Sequence, residues 1–547
     1  MCEIRENAMQ KKQFQQNMKD KVRVFEDGGI RLLKRGQKGV VHAIFSRFGL
    51  VLVLLLLQAF ALFSLLQWFG ELLPHYFGGT LLVTAAMMVY LLNQDMDNSV
   101  RITWLVVTAL MPVLGVPLFW YTKSDVGHNA LKRRLLDLEG RTRAQLPQNE
   151  QTVELLQAQA PEAMPLARYL RGKGGGFPVY ADTVATYFNG GEAMFDEMLR
   201  QLETAKKYIF LEYFIVQEGV MWNSILEVLK RKTTQGVTVR LIYDDMGCFL
   251  TLPKDYAKQL KKHGIQCAVF NPFRPVLTVK QNNRDHRKIA VIDGKVAFTG
   301  GINLADEYIN AIEKHGHWKD AAIMLKGKAA WSFTLIFLQT WEICTHTDED
   351  YEIFYPWKEQ ECPVTAKGFV QPYADSPMDE ENVGEHVYLH ILNNAKKYVY
   401  INTPYLIVDD SMLSALRLAA KSGVDIRIIT PHRWDKWWVH MTTRSYYREL
   451  IKSGVKIYEY TNGFIHSKTF VSDDRTATVG TTNLDFRSLY LHYECGALLY
   501  EAKAVMEVKE DFLQTLEICQ QVTEKDCKTN IVVHLLQDIL RLFAPLM

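Results

Sequence analysis

Two stretches of this chain set the same residue types at the same spacing: His286-x-Lys288-x-x-x-x-Asp293 and His466-x-Lys468-x-x-x-x-Asp473. Each is followed by a turn of small residues that ends in asparagine, Gly300-Gly301-Ile302-Asn303 and Gly480-Thr481-Thr482-Asn483, with the same offset from histidine to asparagine in both copies. The chain holds 15 histidines, and a third start, His317-Trp318-Lys319, breaks off because position 324 is Met. Chance could supply one such pattern, but not two with the same trailing Asn. A pair of core histidines with surface lysines explains neither the repetition nor the asparagines.

The spacing has a chemical reading. Ile289 to Ile292 and Thr469 to Val471 are apolar, β-favouring runs, so each motif should begin on a strand. Residues two apart on a strand share a face, so His286 and Lys288 project together, as do His466 and Lys468. Asp293 and Asp473 complete the motifs, but their place near the following turn suits fixing that turn better than meeting a substrate. Glycine lets backbone approach a ligand closely and brings the amides of Asn303 and Asn483 to it. Two imidazoles, two ammoniums and two amides suit a phosphodiester. One His can attack phosphorus, the other can protonate the leaving alcohol, and the Lys and Asn groups stabilise anionic oxygens. The catalytic set is therefore His286, Lys288, Asp293, His466, Lys468 and Asp473, with Asn303 and Asn483 binding phosphate. This chemistry needs no metal and no cofactor. Asp244-Asp245 and Asp409-Asp410 could suggest a metal pair, yet they fall where strands end and helices start, and capping explains acids there.

The elements that must position these groups come in two copies. Ala205-Lys-Lys-Tyr208 recurs as Ala395-Lys-Lys-Tyr398, Gly236-Val-Thr-Val-Arg240 as Gly423-Val-Asp-Ile-Arg427, and Gly264-Ile as Gly454-Val. Each half reads strand, helix, strand, helix, strand, motif. That alternation predicts an α/β fold with largely parallel sheet covered by helices.

The doubled motif resembles that of the phospholipase D superfamily. Tyr400-Ile-Asn-Thr-Pro-Tyr405, Arg444-Ser-Tyr-Tyr447, Gly454 to Tyr460, Gly463-Phe-Ile-His466, Val479 to Ser488 and Glu494 narrow the likeness to bacterial cardiolipin synthases. Glu212-Tyr213-Phe214, Gly300 to Tyr308 and Trp318-Lys319-Asp320 extend it through the first half, so it covers nearly the whole chain. Lys319 stands where relatives often carry Arg, which keeps the charge.

The resemblance implies two phospholipase D-like lobes related by pseudo-twofold symmetry, with both motifs in one central cleft. It implies that His286 is the nucleophile and His466 the acid and base. Asp320 and Glu494, downstream of their motifs, are then carboxylates that hydrogen-bond and orient the histidines. The implied reaction joins two phosphatidylglycerol molecules into cardiolipin and glycerol through a phosphatidyl-histidine. A phospholipase D or a phosphatidylserine synthase would share the intermediate and differ in the acceptor. A membrane-tethered nuclease would need a basic groove, which a net charge of +2 does not support, so nucleic acid is not an expected partner. A non-catalytic lipid-binding protein is disfavoured because both motifs are intact.

The rest of the chain sets those lobes at a membrane. Residues 1–47 are polar and basic and read as a cytoplasmic segment. Residues 48–123 form an α-helical membrane region with apolar runs at about 48–69, 75–93 and 101–121. The first is long enough to cross about 30 Å of hydrocarbon at about 1.5 Å per residue. The third contains Pro112, Gly115 and Pro117; because basic residues flank the region at both ends and draw both flanks to the cytoplasm, it reads as re-entrant or interfacial, unless one flank lies outside. A charged, Gln-rich connector occupies 124–165, the first lobe 166–360 and the second 361–547. The protein is thus expected in the cell membrane, multi-pass, with a cytoplasmic catalytic region and phospholipid as its partner. The eight cysteines show no CxxC spacing and read as free thiols. Tyr213, Tyr405 and Trp318 could line the cleft or lie in the core. Trp434, Trp437 and Trp438, beside Lys436 and His432, suit a headgroup-level contact and ordinary packing equally. Residues 532, 535, 536, 539, 542 and 543 form a helical stripe, for which core packing is the first expectation and a membrane foot the second.

Overall fold

The computed structural model describes residues 76–123, 126–273, 282–357, 366–379 and 381–546, with single positions 64, 362 and 364. The basic segment 1–47 lies outside the described residues, and so does the first apolar run apart from Ser64.

The described chain divides into two compact units. The smaller contains the helices Tyr76–Leu92, Asn98–Leu110 and Pro112–Lys123, with Met87, Leu91 and Phe119 packed together. Among the described residues no helix is long and apolar enough to cross a membrane. The second apolar run forms a helix of 17 residues. At about 1.5 Å per residue it falls a few ångströms short of a hydrocarbon core. The third run is two helices, Asn98–Leu110 and Pro112–Lys123. It breaks at Met111, whose backbone leaves the helical region at φ −140° and ψ 64°. The cause is Pro112, which steers the preceding residue away from the α conformation and then starts the next helix, where its missing N–H is not needed.

In the larger unit the connector is itself packed. The Trp331 indole donates to the Gln145 carbonyl at 3.0 Å, and Leu135 and Leu146 join the main core. The first lobe carries strands β1 (Thr183–Phe188), β2 (Tyr208–Tyr213), β3 (Thr238–Asp244), β4 (Gln266–Phe270), β5 (Arg284–Asp285), β6 (Lys288–Ile292), β7 (Val296–Gly300), β8 (His317–Lys319) and β9 (Ala322–Gly327). The second carries β10 (Phe369–Asp375), β11 (Tyr398–Asn402), β12 (Leu406–Ile407), β13 (Asp425–Pro431), β14 (Lys456–Tyr460), β15 (Gly463–Ile465), β16 (Thr469–Ser472), β17 (Thr476–Gly480), β18 (Leu484–Asp485), β19 (His492–Tyr500) and β20 (Cys519–Val522).

The main sheets run β1-β9-β7-β6-β2-β3-β4 and β10-β19-β17-β16-β11-β13-β14-β20, the same order twice with one strand added. Both are mixed, not largely parallel. Only β2-β3-β4 and β11-β13-β14 run parallel; β6 and β16 pair antiparallel on both sides. The reason lies in the turns. Asp293 and Gly294 have φ of 51° and 64°, and Asp473 and Asp474 have φ of 52° and 62°. Such tight reversals join neighbours antiparallel, whereas a parallel pair needs a long crossover.

The motif aspartates hold the sheets in register. The Asp293 carboxylate accepts from the backbone N–H groups of Lys206, Lys207 and Tyr208 at 2.7–2.8 Å. Asp473 does the same for Lys396, Lys397 and Tyr398 at 2.7–2.9 Å. The repeated Ala-Lys-Lys-Tyr segments are therefore the partners of the repeated aspartates.

Two short parallel pairings join the lobes, β5 with β19 and β8 with β15. One apolar core runs through both lobes, with Phe210, Val291 and Phe337 from the first and Val471, Ala497 and Phe512 from the second. The C-terminal helix Ile531–Leu542 departs from the expected core packing, since none of its residues is buried.

Candidate active site

Each motif histidine sits in the gap between a strand that pairs with the other lobe and a strand of its own sheet. His286 lies between β5 and β6, and His466 between β15 and β16. The N–H of His286 donates to the Tyr493 carbonyl at 3.0 Å, and that of His466 to the Lys319 carbonyl at 2.7 Å. In both cases the next residue along the accepting strand is a carboxylate. His286 Nδ1 lies 2.9 and 3.1 Å from the two oxygens of Glu494, and His466 Nδ1 lies 2.7 Å from Asp320 Oδ2. Asp320 and Glu494 are thus brought to the histidines, but each serves the motif of the opposite lobe rather than the one it follows.

That geometry sets the tautomers. A carboxylate only accepts, so it draws the ring proton to Nδ1 and leaves the Nε2 lone pair of His286 available. Glu494 is fully buried and also accepts from the hydroxyls of Thr481 and Ser488. At His466, Lys468 Nζ stands 2.8 Å from the same Nδ1 that faces Asp320. One ring nitrogen cannot donate and accept at once. The contact to the charged carboxylate is the stronger bond, and Lys468 donates instead to the His466 carbonyl.

Burial and the neighbouring lysines hold His286 well below the ordinary imidazole range and bring His466 down to about 4. Burial lowers Lys288 to about 8 and Lys468 to about 7. Burial pushes the Asp320 carboxyl up, but His466 and Lys468 outweigh it and hold the group below its usual value. The imidazoles are therefore neutral, beside two lysines that carry their charges below about 8 and 7, an arrangement that attracts an anion.

Hydrogen bonds fix both asparagine side chains. Asn303 Oδ1 accepts from the Ile215 N–H at 3.0 Å and its amide donates to the Tyr308 hydroxyl at 2.8 Å, which leaves a second amide hydrogen. The Asn483 amide donates to Asp485 at 3.0 Å. Asp293 and Asp473 are not in this group; they stand at the far ends of β6 and β16, where they bind backbone. The other acidic pairs are also structural. Asp244 accepts from the Met246 and Gly247 N–H groups, and Asp409 caps the helix Asp410–Lys421.

Aromatic rings wall the site. The Phe214 ring lies 5.2 Å from His286, and Trp318 and Tyr308 lie 5.3 and 5.6 Å from His466. Tyr213 is buried in β2 opposite Lys288, and the Tyr405 hydroxyl donates to Asp435 at 2.6 Å. Two further residues carry the site without belonging to the sequence-derived set. Arg287, between His286 and Lys288, is buried and donates to the carbonyls of Glu494 and Asp375 at 3.1 and 3.0 Å. His492, whose ring centroid is 5.4 Å from that of His286, accepts at Nε2 from Arg487 at 3.3 Å. Arginine is always protonated, so the His492 proton lies on Nδ1. That atom is buried without a hydrogen-bond partner among the described residues. The signal for it was strand alternation, because residues 492 and 494 share one face of β19.

His286, His492 and Glu494 each bring a potential ligand atom within 4.8 Å of the others. His286 and Glu494 already satisfy each other there, so a cation would have to displace that hydrogen bond.

The sequence family described as "Cardiolipin synthase, PLD-like domain" matches residues 198–328 and 388–516. An uncharacterized protein of Streptococcus mutans is 47% identical over 462 residues, covering 84% of this chain and 99% of that protein. A cardiolipin synthase of Alkalihalophilus pseudofirmus is 34% identical over 497 residues, covering 89% of this chain and 97% of the relative. Among solved structures, the phosphatidylserine synthase of Haemophilus influenzae aligns with a TM-score of 0.52 at 14% identity, covering 70% of this chain and 98% of that one. At that identity the likeness is one of fold.

Proposed function

This chain belongs to the cardiolipin synthase family of phospholipase D-like enzymes, and we propose that it joins two phosphatidylglycerol molecules into cardiolipin, releasing glycerol. The observation that carries this reading is the crossed pair of buried couples, His286 with Glu494 and His466 with Asp320, set beside two lysines.

In the first step His286 Nε2 attacks the phosphorus of one lipid. The bond from phosphorus to the glycerol headgroup oxygen breaks, and His466 gives that oxygen its proton. In the second step His466 takes a proton from the primary hydroxyl of another phosphatidylglycerol. The freed oxygen attacks phosphorus, and the phosphorus–nitrogen bond to His286 breaks. Lys288, Lys468, Asn303 and Asn483 hold the anionic oxygens as the phosphorus becomes five-coordinate. One diester replaces another, so no nucleotide is consumed.

Protonation fits the order of events. A neutral His286 is a competent nucleophile, and its depressed pKa keeps it so. His466 starts near 4. The phosphodiester's negative charge opposes the lysines and raises that value, so substrate binding itself loads the acid. Walls of Phe214, Tyr308 and Trp318 limit water and favour a lipid alcohol over hydrolysis. The uncharged run at 48–69 supports attachment to the membrane that holds both lipids, and its basic flank supports a cytoplasmic catalytic unit.

The test is mass spectrometry of lipids after purified protein meets phosphatidylglycerol in the presence of EDTA. Cardiolipin and glycerol are the expected products. Phosphatidic acid as the dominant product would make the protein a hydrolase. Activity lost to the chelator and restored by a divalent ion would overturn the metal-free chemistry.

A further inference from the structure

Both lipids of the proposed reaction are insoluble, and one face of the larger unit has no partner within it. The C-terminal helix Ile531–Leu542 lies against the helix Trp437–Lys452. Arg541 sits 4.2 Å over the Tyr446 ring and 3.4 Å from Glu449, and Gln537 reaches the Met441 carbonyl at 3.4 Å. These contacts use one side of the helix. At 3.6 residues per turn, Ile531, Val532, Leu535 and Ile539 fall on the other side. They are 85%, 71%, 60% and 47% exposed, which leaves an apolar stripe in solvent.

Beside the stripe, the partner helix begins with Trp437 and Trp438, preceded by Trp434, and all three indoles are about half exposed. This segment borders the catalytic cleft. Asp435 accepts from Tyr405, and the charge of Lys436 is felt at His286. Between the two helices and the helix Asp410–Lys421 lies an open cavity of about 510 Å³ lined by Arg417, Lys421, Arg444, Arg448, Lys452 and Arg541, against the carboxylates Glu449 and Asp538. Glu449 is taken up by Arg417 and Arg541. Among the described residues no carboxylate pairs with Lys421, Arg448 or Lys452.

We propose that this face docks on a bilayer of anionic phospholipid. The stripe and the indoles enter the boundary between headgroups and acyl chains while the arginine- and lysine-lined cavity takes lipid phosphates. An amphipathic helix with apolar residues on one side, tryptophans at its edge and cations beside it binds in that plane. A second copy of the chain would cover the apolar stripe but would gain nothing from Lys421, Arg448 and Lys452, which pair with no carboxylate among the described residues. The docked orientation brings the cleft rim at Trp434 to the lipid surface, so substrate can pass from the bilayer to His286 without crossing water.

The kinetic test rests on the phosphatidyltransferase reading and uses the full chain with two forms of one substrate. Short-chain phosphatidylglycerol is presented as monomers below its critical micelle concentration, and long-chain phosphatidylglycerol in vesicles diluted with phosphatidylcholine. The Leu535→Ser/Ile539→Ser variant should match the parent on monomers. On vesicles its apparent KM should rise about tenfold with kcat kept. The Arg448→Glu/Lys452→Glu variant should lose the gain that the parent shows when phosphatidic acid replaces part of the phosphatidylcholine. Equal losses on monomers and vesicles, or unchanged kinetics on vesicles, would overturn the proposal. A variant that changes the mass of the detergent-solubilised particle while vesicle kinetics stay the same would assign the stripe to self-association. If the parent turns over neither substrate, the reading of the active site has failed. Docking is then read from the quenching of tryptophan fluorescence by vesicles of acyl-brominated phosphatidylglycerol, which the Leu535→Ser/Ile539→Ser variant should diminish and which, if undiminished, overturns it.

Discussion

Neutralising one carboxylate at a time separates crossed wiring from wiring within each lobe. Asp320→Asn removes a buried charge 2.7 Å from His466 Nδ1. An opposite charge at that range supports an imidazolium by about 1–3 pKa units, or about 1.4–4 kcal/mol. Its loss drives His466 further below about 4 and weakens the acid. An asparagine can also present its amide to the ring and favour the wrong tautomer, an error worth up to about 10⁴-fold in the hydrolytic triads. Turnover of phosphatidylglycerol should therefore fall by about 10²–10⁴-fold. A phosphatidyl diester of p-nitrophenol needs no proton on its leaving group, so with that analogue Asp320→Asn should still form the adduct within about tenfold of the parent rate. Glu494→Gln acts on His286, the proposed nucleophile, so both substrates should fail. Rapid-quench release of nitrophenol gives the rates, peptide mapping locates phosphorus, and circular dichroism checks folding. Wiring within each lobe predicts the reverse, with Asp320→Asn losing both substrates and Glu494→Gln sparing the analogue. That result, with the adduct still on His286, would refute the crossed assignment. An adduct on His466 would instead exchange the roles of the two histidines and leave the wiring standing.

Lys288→Ala, Lys468→Ala, Asn303→Ala and Asn483→Ala should each lower kcat by about 10²–10³-fold, the usual loss for one donor to a transition-state oxyanion, in protein that melts near the parent temperature. Near-normal turnover in both lysine variants would remove them from the site. Asp293→Asn and Asp473→Asn should act on stability, because one amide oxygen cannot replace a carboxylate that accepts three N–H groups. Asparagine tolerates the positive φ, so a loss of about 1–2 kcal/mol reports the hydrogen bonds rather than the turn, and calorimetry should show it with kcat of the folded fraction kept. Burial places Lys468 at about 7 and Lys288 at about 8, so the cations that receive phosphate discharge as pH rises through those values. The profile of kcat/KM should accordingly fall on the alkaline side from about pH 7. On the acid side it should show no falling limb near pH 6.5, where an ordinary imidazole protonates, because His286 titrates well below that. An acid limb centred at pH 6.5 would contradict the burial of His286.

The parts of the fold that local chemistry dictates were legible. Apolar runs placed β6 and β16. The sheet direction was not read, although its signal was present: Asp293-Gly294 and Asp473-Asp474 leave room only for a reversal. The repeated Ala-Lys-Lys-Tyr segments and the motif aspartates were each visible as repeats, but only the fold closes one on the other across a long stretch of chain. The stripe of the C-terminal helix shows how little a pattern says about its partner. Periodicity establishes that one side is apolar, and packing alone decides whether protein or something else covers it.

The crossing of carboxylates was hidden for a different reason. A duplicated chain offers each histidine two equivalent acids, and sequence order favours the one that follows in the same repeat. What decides between them is the pairing of β5 with β19 and of β8 with β15, which sets Glu494 one residue beyond the backbone partner of His286 and Asp320 one residue beyond that of His466. Each imidazole is therefore fixed twice to the other lobe, through its N–H and through Nδ1. A lobe by itself would hold a histidine with no carboxylate and a buried carboxylate with no histidine, and a small rotation between lobes would break both couples together. The chemistry needs the two histidines on opposite sides of one phosphorus, and anchoring each on the opposite lobe ties their separation to the contact between the lobes.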